Sequence, residues 1–440
     1  MAADPLPPFP PGFLWGASTS AHQIEGAADL RERSVWDVFE ARPGSIADGS
    51  TAAVACDSFH RHREDVELLA GLGLDAYRFS VSWPRVDSPG GLDHYDRLVD
   101  DLLAAGVRPV PTLFHWDLPA ALDWRERDTA ARFAAYVERV AARLGDRVRT
   151  WITVNEPAEH TFLGHALGVH APGHRMLFEA LPVAHHQLLA HGLAVRALRA
   201  AGAADVGIAV SHAPTWPVSE RKEDLAAADF YDVLMNRAFS DPLLLGRYPE
   251  GVAELMPDGA EADLEIVSER LDWYGVNYYA PSLVGAPTGG PSAYGTLDVP
   301  PEMPFSVHEI EGRPRTDFGW PVVPEGLTEV LTGLRDRYAD RLPPLMVTEN
   351  GCSYPGLDDQ DRIAYLDAHL RALHRALEAG VDVRGYFVWS LLDNFEWAEG
   401  YRQRFGLVHV DFDSPERTRT PKASYAWLRD QLRDCLRAQR

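Results

Sequence analysis

The chain has 440 residues, 46% hydrophobic and 24% charged, an ordinary globular composition long enough to bury a large core. Its net charge of -23 makes nucleic acid and anionic membrane surfaces poor partners. The three cysteines, Cys56, Cys352 and Cys435, are odd in number and widely spaced, which argues against a disulfide framework or zinc ribbon and for inert thiols in a reducing compartment.

The N-terminal run MAADPLPPFPPGF has neither a basic n-region nor an apolar h-region. No apolar run approaches the roughly 20 residues that cross a bilayer. The expectation is a cytoplasmic protein without membrane contact. In chain order, a strand-like run at 13–20 precedes an amphipathic stretch at 65–72, DVELLAGL, with Val66, Leu69 and Ala70 on one face. Strand 76–83 then leads to helix 94–105, strand 108–115 to helix 129–144, and strand 150–155 to helix 181–200. The alternation continues with strand 206–211, helix 224–239, strand 273–279 and helix 325–338. It closes with strand 344–349, helix 361–379, strand 384–391 and helix 424–436. Gly73, Gly106, Gly145, Gly202 and Gly380 stand where helix-ending glycines are expected.

The strands are short and apolar, as befits strands covered on both faces. Eight strands alternating with eight helices predict an α/β fold, a single (β/α)8 TIM barrel spanning 1–440 as one catalytic domain, with long loops at the C-terminal face. A doubly wound open sheet is the alternative, but no Gly-rich phosphate turn follows an early strand. The Pro-, Gly- and Ser-rich stretch 285–318 has no helical period and reads as a long loop on the active-site side.

In such a barrel the functional groups sit at the C-terminal strand ends. Strand four ends Thr153-Val-Asn155-Glu156-Pro157, and strand seven ends Val347-Thr-Glu349-Asn350-Gly351. Proline biases its predecessor toward extended geometry, so Glu156 is expected at an extended strand exit. One strand-end glutamate is more often a solvated charge. Two, on nearly opposite sides of one mouth and flanked by amides and tryptophans, are what glycoside cleavage needs: one held protonated for the leaving oxygen, one ionised to attack the anomeric carbon. Gln23, His115-Trp116, Asn277-Tyr278-Tyr279, Trp389 and Asn394-Phe395-Glu396-Trp397 occupy other strand ends. Amides, imidazole and carboxylate can bind vicinal hydroxyls, and indole faces can stack on sugar C–H surfaces. Each alone is more simply structural; their shared location is the argument. Arg78 is either a buried structural ion-pair partner or the group that keeps Glu349 ionised, and Tyr279 could hydrogen-bond the same carboxylate.

With these residues in view, the chain resembles glycoside hydrolase family 1, the β-glucosidase family, from Phe13-Leu-Trp-Gly-Ala-Ser-Thr-Ser-Ala-His-Gln-Ile-Glu-Gly26 to the closing helix. Thr153-Val-Asn-Glu-Pro157 is similar to the family's acid/base motif and Val347-Thr-Glu-Asn-Gly351 to its nucleophile motif. The resemblance implies a retaining β-glycosidase, with Glu156 as acid/base, Glu349 as nucleophile and carboxyls about 5 Å apart. It implies that Gln23, His115, Asn155, Glu396 and Trp397 hold the glycone. Asn277 and Tyr279 would lie beside the 2-hydroxyl and the nucleophile, Trp389 would form the glycone floor, and Trp320 an aglycone platform. The substrate is expected to be a small β-glycoside or oligosaccharide, with no cofactor and no metal.

Three departures stand out. The segment after Trp83-Pro-Arg is short, and 118–133 lacks the usual Gly-Gly-Trp. Ala158-Glu159-His160 follows the acid/base motif where an aromatic residue is usual. Rival readings are a 6-phospho-β-glycosidase, whose phosphate Glu396 would repel, a non-catalytic sugar-binding barrel, and a metal-dependent hydrolase using His60 and His62 or His185 and His186.

Overall fold

A computed structural model of the protein describes residues 5–290, 292–294 and 297–438. Among them, eight parallel strands close into a barrel. In chain order these are β1 (Leu14–Ser18), β2 (Ala76–Ser80), β3 (Arg108–Phe114), β4 (Thr150–Asn155), β5 (Asp205–Ser211), β6 (Tyr274–Asn277), β7 (Leu345–Asn350) and β8 (Val383–Trp389). β8 pairs with β1 to shut the ring, Ser18 opposite Trp389. Helices Ser58–Leu72, Gly91–Ala104, Asp128–Leu144, Leu181–Ala200, Pro324–Tyr338, Gln360–Glu378 and Ala423–Ala438 run between and after them. The expected alternation holds. No helix among the described residues is long and apolar enough to cross a membrane.

Inside the barrel, below the mouth, Leu14, Ala76, Val110, Ile152, Ala209, Trp273, Met346 and Phe387 form a closed apolar plug. Glycines make room for its two large rings. A Cβ on Gly16 would lie 2.2 Å from the Phe387 ring, and one on Gly207 would lie 2.6 Å from the Trp273 indole. The outer layer is helix on strand. Helix Asp128–Leu144 buries Ala130, Phe133, Val137, Val140, Ala141 and Leu144, the spacing of one helical face. Each fully buried large side chain there contributes about 1.5–3 kcal/mol. Tyr136 on the same helix donates to the carbonyls of Val81 and Leu113, tying it to the ends of β2 and β3.

Several details differ from the sequence expectations. The 285–318 stretch is not structureless. Ser306–His308 pairs antiparallel with Ser282–Gly285, which also runs parallel to Thr215–Pro217, and Ser292–Tyr294 pairs with Leu297–Val299. Strands of three or four residues are too short to leave a readable period. The single helix expected at 224–239 is Lys222–Asp232, then a wider i→i+5 turn at Val233–Arg237, then Ala238–Leu245. Helix Ala260–Val267 follows within the same connection. Gly145 ends its helix without a left-handed turn; its reason is space, since a Cβ would meet the Ala141 carbonyl oxygen at 2.5 Å. Cys56 and Cys352 are buried free thiols, while the Cys435 side chain lies outside the described residues.

Candidate active site

Register shifts precede the functional ends of two strands. β4 and β5 slip between Ile152 and Asn155, and β6 and β7 slip between Val347 and Glu349, leaving Glu349 opposite Asn277. Such irregularities re-aim side chains at a barrel rim. Glu156 follows at once. Its N–H still pairs with the Ala209 carbonyl at 2.8 Å, but its backbone is left-handed, with φ +46°. The extended exit expected from Pro157 is therefore wrong. The proline disfavours the right-handed region, and the immediate turn into Pro157–Glu159 takes the chain to the left-handed one instead. Trp116 and Trp397 share this strained geometry and also line the mouth. Strain of this kind gathers at functional sites.

Glu349 is buried at the end of β7. Its Oε1 accepts from Arg78 Nη1 at 2.6 Å and its Oε2 from the Tyr279 hydroxyl at 2.7 Å. Arg78 is fully buried, and its remaining donors go to the Thr348 carbonyl, Thr112 Oγ1 and Asn155 Oδ1. It is thus both a structural clamp and Glu349's counter-charge. Asn155 Oδ1 also accepts from Asn277 Nδ2, while Asn155 Nδ2 donates to His115 Nε2 at 3.1 Å. That bond leaves the His115 proton on Nδ1. Burial, and then the charge of Arg78, hold His115 well below its usual pKa, so it is a neutral imidazole.

The two carboxyls differ in support. Burial raises both. For Glu349 that rise is opposed by Arg78 and by hydrogen bonds from Tyr279, Arg78 and Asn277. Glu156 sits well above the usual carboxylate range through burial, then the charges of Glu349 and Glu159, opposed chiefly by the Asn277 amide at 2.8 Å. The pair shares its protons, and the proton resides preferentially on Glu156.

A cavity of about 380 Å³ opens over the pair, lined by His115, Trp116, Glu156, Tyr279, Trp320, Glu349, Trp389, Glu396 and Trp397 among others. His115 stacks beside Trp389 and Trp397, with ring centroids 5.7 and 5.9 Å away. Trp320 stacks on Phe318 at 4.3 Å on the outer side. Glu396 is pushed up to about 8 by burial and by Glu349. Gln23 is placed differently from the expectation. It is fully buried behind Glu396, and its amide donates to Asn394 Oδ1, the Phe395 carbonyl and Glu396 Oε2. Asn155, Asn277 and Arg78 likewise stand behind the wall.

Sequence reasoning missed Glu159, Phe318, Phe405 and an apolar wall from 160–169, 231–236 and 299–307, all facing the cavity. The one available signal was the departure at Ala158-Glu159-His160. The histidine pairs weighed as metal ligands are engaged elsewhere. His60 meets Asp57, His62 meets Asp101, His185 meets Tyr248 and Asp263, and His186 meets the Trp124 carbonyl. The described residues include no cluster of three or more groups fit for a metal.

A parallel barrel with two buried carboxyls facing one aromatic, amide-backed cavity has the anatomy of a carboxylate-pair glycosidase. The family model "Glycosyl hydrolase family 1" matches residues 7–434. "Thermostable beta-glucosidase B" of Thermobispora bispora is 44% identical over 97% of this chain and 90% of its own length. The "Bifunctional beta-D-glucosidase/beta-D-fucosidase" of Bifidobacterium breve is 41% identical over 97% and 98%. Among solved structures, a psychrophilic β-glucosidase from Micrococcus antarcticus superposes with TM-score 0.91 at 43% identity, covering 97% of this chain and 98% of that one. A family 1 β-glucosidase from Thermotoga maritima in complex with glucoimidazole gives 0.90 at 38%, covering 97% and 99%. The chain belongs to glycosyl hydrolase family 1.

Proposed function

We propose that the whole chain acts as one barrel domain, a retaining β-glucosidase in which Glu349 is the nucleophile and Glu156 the acid/base. The observation that carries the assignment is the asymmetry of the pair. A cation and a hydroxyl, Arg78 and Tyr279, grip Glu349 at 2.6 and 2.7 Å, whereas among the described residues Glu156 meets only neutral amides, Asn277 at 2.8 Å and Asn155 at 3.5 Å. In the first step Glu349 forms a bond to C1 as the C1–O bond to the aglycone breaks, and Glu156 gives its proton to the departing oxygen. In the second, Glu156 takes a proton from water, which attacks C1 and returns Glu349 as carboxylate.

Asn277 hydrogen-bonds Glu156 at 2.8 Å, and the same amide favours the ionised form of Glu349, so the two carboxyls have one neighbour in common. Retention calls for carboxyls about 5 Å apart, against ~6.5–9.5 Å for inversion. Glu396, His115, Trp389 and Trp397 are assigned to the glycone, with Gln23 and Asn155 positioning Glu396 and His115 from behind. The cavity wall carries Glu156, Glu159, Glu349, Glu396 and Glu399 and, among the described residues, no lysine or arginine. A phosphorylated glycone has no partner there. The Bifidobacterium breve relative is named for two glycones, D-glucose and D-fucose, which differ in the configuration at C4 and in the 6-hydroxyl, so those two positions are where we expect tolerance. Buried free thiols at Cys56 and Cys352 fit the reducing cytoplasm we assign to the enzyme. The test is trapping with a 2-fluoro-β-glucoside carrying an activated leaving group, followed by peptide mass spectrometry. A glycosyl ester on Glu349 is expected; a label on another residue, or no label with turnover intact, overturns the assignment.

A further inference from the structure

The cavity continues past the carboxylate pair into a lobe that the two chemical steps do not use. Two helical segments that widen to i→i+5 turns build one side of it, His160–Ala166 and Val233–Arg237. In the first, the Leu167 N–H reaches back to the Phe162 carbonyl at 2.8 Å. Such turns push side chains out of helical register, often at functional sites. Here they deliver Phe162, Leu234 and Met235 to the wall, opposite Met303, Phe305 and Val307 from the connection after β6. A second sugar unit would bring several hydroxyls against these six side chains, none of which can accept or donate a hydrogen bond well. The wall suits a hydrophobic ring.

Polar groups interrupt the apolar surface, among them Tyr231, His212, Asn236 and Ser282, and one of them is a carboxyl. Glu159 lies three residues beyond Glu156, at the junction of the lobe with the catalytic pair. Ser211 at the end of β5 and the Glu159 backbone N–H favour its charged form, and the Tyr231 phenol feels that charge. Its Oε2 is buried without a hydrogen-bond partner among the described residues. A buried carboxyl oxygen lacking a donor is costly to keep, and a donor arriving on a ligand relieves that cost.

We propose that Glu159 reads the aglycone: the lobe takes the flat aromatic aglycone of a β-glucoside, and Glu159 accepts a hydrogen bond from a phenolic hydroxyl carried on that ring. The inference rests on the glucosidase reading above and adds the substrate class. Burial, and then the charge of Glu349, push Glu159 up to about 7, and either protonation state offers an acceptor oxygen. An unsubstituted aryl glucoside leaves Glu159 unmet; a hydroxylated one meets it.

The experiment compares kcat/KM for 2-naphthyl β-glucoside with a set of hydroxy-2-naphthyl β-glucosides differing only in hydroxyl position. The wild-type enzyme, Glu159→Gln and Glu159→Leu are each assayed. Because hydroxylation also alters the leaving group, the quantity read is the ratio of ratios between enzymes. Inhibition constants of the free naphthol and dihydroxynaphthalenes against one common substrate provide a measure free of bond cleavage. At least one isomer is expected to be preferred by about tenfold in the wild type, a hydrogen bond to a buried carboxyl being that strong. Glu159→Leu removes the preference, and Glu159→Gln, which keeps an acceptor, retains most of it. Equal handling of all isomers by the wild type, in turnover and inhibition alike, overturns the proposal even if no variant folds. So does a preference that survives Glu159→Leu. Absence of turnover on every aryl glucoside instead overturns the underlying glucosidase reading.

Discussion

Replacing Tyr279 with phenylalanine isolates one of the two contacts that set Glu349 apart from Glu156. The hydroxyl lies 2.7 Å from Glu349 Oε2, while the ring rests against Trp320 and Phe405, with centroids 5.4 and 6.3 Å away. Phenylalanine keeps those ring contacts and deletes only the donor. A hydrogen bond to a charged acceptor is worth roughly 1.5–3 kcal/mol, and each pKa unit corresponds to about 1.4 kcal/mol. If the bond favoured only the carboxylate, the Glu349 pKa would rise by about one to two units. A neutral carboxyl also accepts through its carbonyl oxygen, so a rise of about one unit is expected. The sign follows from the chemistry. In the proposed mechanism Glu349 must be ionised to attack, so the acid limb of kcat/KM against pH moves upward. Below both limbs the variant falls roughly tenfold further behind the wild type. The alkaline limb, which reports loss of the Glu156 proton, stays near its original position. The assay is an aryl β-glucoside followed from pH 4 to 10. An acid limb that stays fixed or moves downward refutes the claim that Tyr279 holds Glu349 ionised.

Glu156→Ala should cost little, about tenfold or less, with a good leaving group in the first step, and about 10²–10⁴-fold with a poor one. Equal losses across a leaving-group series would remove Glu156 from the acid role. Gly207→Ala should destabilise the fold by about 2 kcal/mol, because the new methyl would sit 2.6 Å from the Trp273 indole in the barrel plug. A urea midpoint unchanged from the wild type would show that the plug relaxes freely.

The site was legible where chemistry lies on the strand ends themselves. Asn155-Glu156-Pro157 and Glu349-Asn350-Gly351 each couple a carboxyl to a strand stop, so residue type and position announce the function together. Arg78 was left open between structure and site because its sequence context shows neither partner; the fold makes it both, with Glu349 on one nitrogen and Asn155 on another. Gln23 read as a sugar ligand, but its burial behind Glu396 depends on the loop 394–397, which folds over it from the far end of the chain. Glu156's left-handed backbone was misread because a proline says what its neighbour avoids, not which remaining region the following turn demands.

The barrel and the carboxyl pair were determined by the sequence alone, through apolar runs of strand length and motifs confined to a few consecutive residues. The unequal support of the two carboxyls, and the apolar lobe with Glu159 in its wall, were decided only by tertiary structure. Those properties depend on groups hundreds of residues apart, such as Arg78 and Glu349, and on turns that carry no period. Burial and proximity, which set protonation and select a ligand, arise only when the chain is closed on itself.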